Sequence, residues 1–172
     1  MHWMWIDRIT AYEPDHSMQT VKNVTAAEDH LHDHFDASDG LLSQPLMPAS
    51  LIIEGMAQTA GLLVGSVNRY KEKVILAKIS RVELEEDAVP GQCLRYDATI
   101  ERIDAAGAST EGTVHILNPT ENSDWRKIGR ISLLFSHIDQ NMAGREFPEH
   151  NFVFSGNFRN LLRNADLDIF DD

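Results

Sequence analysis

A single cysteine, Cys93, stands in 172 residues, so no disulfide can form within the chain and a reducing compartment is expected. Cys93 lies in "GQCLRYDATIE", which reads as a strand, and is expected to be a buried structural thiol. Basic residues are scarce: 15 Lys and Arg stand against 27 Asp and Glu, a net charge of -12. That deficit excludes nucleic acid as a partner, because phosphate binding needs a basic surface, and it argues against adhesion to anionic membranes. No apolar run is expected to reach the length of a membrane span. Asp7 and Arg8 fall too early in "MHWMWIDRIT" for a signal peptide, so a cytoplasmic protein is expected. Internal repeats are lacking. What is present is 42% apolar residues, enough for one domain with a core of its own.

The apolar residues fall into two periods. "WMWIDRITAY" and "MQTVKNVT" read as strands separated by the turn residues of "EPDHS". "KVILAKISRVEL", "QCLRYDATIERID", "ASTEGTVHILN" and "RKIGRISLLFSHI" read as four more, broken at "DAVPG", "DAAG" and "NPTENSD". Between the two sets, "MPASLIIEGMAQTAGLLVGSVNRY" predicts one helix from about Pro48 to Asn68, with Ser50 as a possible cap. A helix apolar on most sides belongs inside a soluble protein. The fold class is therefore α+β, an antiparallel sheet covering one long helix. Residues 1–138 form this domain. Residues 139–172 are an extension whose Phe147, Phe152, Phe154 and Phe158 need something to pack on.

Two features carry chemistry. Glu54 lies in the middle of the apolar helix, where an unpaired carboxylate is costly. Gln58, Gly61 and Gly65 share its face by helical spacing. Either the glycines allow close packing and Glu54 meets a lysine or backbone amides, or the glycines leave room for a chain-like ligand with Glu54 at its reacting end. In the second case, desolvation would raise the carboxyl pKa toward that of a general acid. The other feature is "AAEDHLHDHFDASDG", in which His30, His32 and His34 alternate. They would share a face only if the stretch were a strand. No further Cys or His cluster supports a metal site, so none is expected.

Longer patterns point further. "IDRITAYEPDHSMQTVKNVTAAEDHLHDHF", "PLMPASLIIEGMAQTAGLL" and "VELEEDAVPGQCLRYDATIER" together resemble, in order, the bacterial 3-hydroxyacyl-acyl carrier protein dehydratases of the FabZ type. The resemblance runs from Ile6 to Phe135. It implies the hot-dog fold, a curved antiparallel sheet wrapped around one central helix. It also implies homodimers, alone or as trimers of dimers, with each active site between two subunits.

Carried over by position, the resemblance makes His34 the catalytic base, since Phe35 follows it, and Glu54 the catalytic acid of the other subunit. Phe35, Ala49, Gln58 and Gly61 become substrate-binding residues, with the Ala49 N–H at the helix start holding the thioester carbonyl. His30 and His32 receive no role. The implied reaction is reversible dehydration of a (3R)-3-hydroxyacyl thioester, without metal or cofactor, on the arm of an acyl carrier protein. Lys71, Lys73, Lys78, Arg81 and Arg126 are the candidates for docking that acidic carrier. A hot-dog thioesterase and a non-catalytic acyl-thioester binder are the competing readings. The chain departs from the family where G-H-F-P-G becomes Asp33-His34-Phe35-Asp36-Ala37, and in the longer stretch between Phe35 and Pro45. It departs again at Ala49 in place of glycine, and in the tail after Ile138.

Overall fold

Strict alternation builds the sheet. In β2 (Ser17–Asn23) Met18, Thr20 and Lys22 turn inward, and in β5 (Gly107–Leu117) every second residue is buried. Such a pattern gives each strand one buried face and one wetter one. With β1 (Arg8–Glu13), β3 (Val74–Leu84), β4 (Cys93–Asp104) and β6 (Arg126–His137), these form one six-stranded antiparallel sheet. Its order is β1-β2-β4-β5-β6-β3. Four of the five strand pairs carry a register shift, a device that bends a sheet.

The sheet wraps the helix α2 (Ala49–Val67), which packs against β2 through β6. A short helix α1 (Asp29–His32) precedes it, and α3 (Gly156–Arg163) lies beside β1 near the C-terminus. The computed structural model describes residues 3–32, 37–40, 42–120, 124–138, 153–154 and 156–167. His34 and Phe35, and with them Phe147 and Phe152, lie outside the described residues.

Four expectations need correction. The first strand begins at Arg8 and not at Trp3, because Trp5 and Ile6 are both buried, which strand alternation forbids. Ser50 caps nothing: Pro48 is the N-cap residue of α2, and it makes no side-chain cap bond. The helix α2 is long and apolar enough to cross a bilayer, contrary to expectation, but most of it is enclosed by its own sheet. Cys93 is half-buried, with its thiol donating to Asn23 Oδ1 at 2.8 Å, because it opens β4 at the sheet's margin. Burial and the Asp7 carboxylate nearby push that thiol's pKa up, so it stays a poor nucleophile near neutral pH.

The C-terminal segment joins the same core. Phe154, Leu161 and Leu162 are buried with the α2 and sheet residues, and Phe154 meets Tyr70 edge-on at 4.8 Å. For Phe154 and Phe158, the expectation that the aromatics pack on something is met by the chain's own core.

Candidate functional site

The face of α2 that carries Glu54 opens into a cavity of about 500 Å³. Glu54, Ala57, Gln58, Gly61 and Leu62 form one wall, at the spacing of a single helical stripe. Trp3 and Met4 line the cavity beside Gln58. Val74, Ile75 and Leu76 at the start of β3 and Phe135 on β6 form a second wall. Val153, Phe154, Asn157 and Phe158 complete it from the C-terminal segment. A carboxylate at one point of an otherwise mostly apolar slot is the arrangement expected for a chain-like ligand with one reacting end.

Gln58 fixes the carboxylate. Its Nε2 donates to Glu54 Oε1 and to the Trp3 carbonyl, each at 3.0 Å, and its Oε1 accepts from the Trp5 N–H at 2.8 Å. Both amide protons are thereby committed, and the glutamine ties the N-terminal segment to the helix beside Glu54. Glu54 itself is half-buried, and among the described residues its side chain meets neither of the partners foreseen for a structural carboxylate, a lysine or backbone amides. Gln58→Leu is expected to leave the buried Trp5 N–H without its acceptor and to destabilise the fold by about 1–3 kcal/mol. Urea unfolding would show this as a lower midpoint at unchanged slope.

The two glycines of the stripe behave differently. A Cβ built on Gly61 would meet only Phe135 Cε1, at 3.5 Å, so a side chain could enter the cavity here without a clash. A Cβ on Gly65 would lie 2.5 Å from Phe154 Cζ and 2.8 Å from Tyr70 Cδ1. Gly61 thus widens the cavity, while Gly65 admits an aromatic ring. Close packing therefore accounts for Gly65, and room beside the helix for Gly61.

A second cavity of about 480 Å³ shares Trp3 and Met4 with the first. It reaches Pro48, Ser50 and Leu51 at the start of α2, and Glu28, Asp29 and His30 on the stretch that leads to His34. Ala49 sits at the first helical position, where a backbone N–H has no acceptor within the helix and the helix dipole favours negative charge. The residues on either side of Ala49, Pro48 and Ser50, and His30 on the histidine-bearing stretch therefore border one space. His30 packs edge-on against Trp5, with ring centres 4.9 Å apart, which gives it a structural task. Among the described residues no three His, Cys, Asp or Glu side chains converge as a metal-binding group.

Sequence reasoning missed what anchors that stretch. Lys22 is only 5% exposed, and its Nζ donates to Glu28 Oε1 at 2.5 Å and to Asp7 Oδ1 at 3.3 Å. Asp7 also accepts from the Asn23 N–H at 2.7 Å. The pairing joins the N-terminal segment, β2 and the turn before α1. The signal was there in "VKNV": a lysine on the inward parity of an alternating strand must have a buried partner.

The docking candidates fare unevenly. Lys73 is buried and offers nothing to a partner, because it sits where β3 enters the core. Arg81 pairs with Glu83 at 2.7 Å, and Arg126 pairs with Glu86. Lys71 and Lys78 are exposed.

The FabA-like domain family matches residues 2–118 of the chain. A curated relative, the 3-hydroxyacyl-acyl carrier protein dehydratase FabZ of Clostridium kluyveri, is 30% identical over 115 residues, covering 66% of this chain and 76% of the relative. Among solved structures, the dehydratase heterocomplex ApeI:P from Xenorhabdus doucetiae superposes with a TM-score of 0.55 at 16% identity, covering 78% of this chain and 83% of that one. A mutant acyl-CoA hydrolase from Staphylococcus aureus superposes with a TM-score of 0.52 at 14% identity, covering 87% and 88%. At such identities these two structures show a shared fold only. The family match stops before β6 and the C-terminal segment.

Proposed function

The chain belongs to the FabA-like family and, within it, to the FabZ-type dehydratases, and from that premise we propose that it interconverts (3R)-3-hydroxyacyl and trans-2-enoyl thioesters carried on acyl carrier protein. The observation that carries this reading is Glu54, fixed by Gln58 on the wall of a mostly apolar cavity. In the dehydration direction, His34 takes the proton from C2. The C2–H electron pair moves into the C2–C3 bond, through an enolate whose oxygen is held by the Ala49 N–H. The C3–O bond breaks, and the hydroxyl leaves as water with the proton of Glu54. Acid and base positioned in this way serve both directions, and the chemistry calls for no metal or organic cofactor.

His34 and Glu54 act from different subunits in this proposal. β3 is an edge strand of eleven residues, exposed over most of its length, with Leu76, Ile79 and Val82 more than a third exposed. An exposed edge strand is a template for pairing with another strand, and a second copy related by a two-fold axis supplies it. That edge begins at the wall of the Glu54 cavity, so a partner there borders the site. Lys71 and Lys78 are the cations offered to the acidic carrier. We place the reaction in the cytoplasm, the compartment suited to an unpaired thiol such as Cys93.

Crotonyl thioester tests the reading. Hydration removes the conjugated enoyl absorbance while the thioester stays intact. Release of free thiol and acid would identify a thioesterase, and binding without turnover a non-catalytic acyl binder; either result rejects the proposal.

A further inference from the structure

We infer that the C-terminal residues Phe154 and Phe158 form the end wall of the acyl cavity and set the longest chain it accepts. The inference rests on the acyl-thioester reading above and adds a length limit to it. These residues lie beyond the stretch that matches the FabA-like family, so the wall belongs to this chain's own extension. Phe154 is buried against Tyr70 and touches the position where Gly65 lacks a side chain. Phe158 stacks edge-on behind it with ring centres 6.4 Å apart, and α3 is pinned through buried Leu161 and Leu162. The wall is therefore part of the packed core and not a loose end.

The position of the wall gives a length. Glu54, which acts at C3, and Gly61, which lines the cavity, are seven residues apart on α2, roughly 10 Å along its axis. Gly65, which Phe154 occludes, lies roughly 16 Å from Glu54. An extended acyl chain advances roughly 1.3 Å per carbon, a C–C bond of about 1.5 Å projected on its axis. The wall thus stands roughly 8 to 13 carbons past C3. Acyl chains of about twelve carbons fit, and chains of about sixteen meet the Phe154 ring. The substrate class is short- and medium-chain acyl thioesters.

Full-length wild type, Phe154→Ala, Phe158→Ala and Gly61→Leu would be compared over two ligand series of four to sixteen carbons. The first is trans-2-enoyl thioesters, read as kcat/KM of hydration. The second is S-alkyl pantetheine thioethers, which can be neither hydrated nor hydrolysed, read as Kd by calorimetry. Phe154→Ala opens the space at Gly65 and lets about four further methylenes be buried, so the ratio of sixteen- to eight-carbon affinity rises about a hundredfold. Phe158→Ala moves it the same way by less. Gly61→Leu fills the cavity from the helix side, where a Cβ fits at 3.5 Å from Phe135, and moves the cut-off to shorter chains. It keeps the inference testable should Phe154→Ala fail to fold. A cut-off that shifts in thioether binding without any hydration would sustain the wall and sink the dehydratase reading. Hydration with a chain-length profile that neither the folded phenylalanine variants nor Gly61→Leu alter would sink the wall and sustain the reading.

Discussion

Glu54→Gln is expected to slow hydration of an enoyl thioester by ~10²–10⁴-fold, the usual contribution of a placed acid–base group, while the protein stays folded. The substitution keeps the shape of the side chain and an oxygen able to accept from Gln58 Nε2, so the tie through Trp3 and Trp5 survives. Only the transferable proton is lost. The urea midpoint should therefore stay near wild type while kcat collapses. A variant that unfolds early would show a structural carboxylate, and one that keeps its rate would show that the acid is another group.

His34→Ala should lose activity on a similar scale, and mixing the two dead proteins should restore part of it. If the base and the acid come from different subunits, a dimer of one His34→Ala chain and one Glu54→Gln chain has one site with both intact residues. Its other site has both mutations. Random exchange from equal amounts makes about half the dimers mixed, each with one working site of two, so recovery approaches about a quarter of wild type. A verified mixed dimer without activity would place the pair within one subunit or name the wrong residues.

Much of this was legible in sequence because helical spacing is strict. Four-residue and seven-residue steps from Glu54 reach Gln58 and Gly61, and all three line one cavity. The same rule carried Gly65 onto that face but could not show that Phe154, far along the chain, would occupy its space. The start of β1 was misread because aromatic residues suit strands in general, whereas Trp5 and Ile6 turn into the core in succession and Trp5 bonds a side chain on α2. The inward parity of Lys22 calls for a buried partner, but its partners Glu28 and Asp7 lie on other segments. The polarity of a residue is local information, and the identity of its buried partner is not.

Intact-mass analysis of (3R)-3-hydroxyacyl-acyl carrier protein incubated with the wild-type protein tests the central claim most directly. The account predicts an equilibrium mixture in which part of the carrier has lost the mass of one water, with the thioester retained. The same mixture should be reached from the enoyl carrier, and Glu54→Gln should not approach it on the same timescale. Carrier stripped of its acyl group, or left unchanged by wild-type protein, would contradict it.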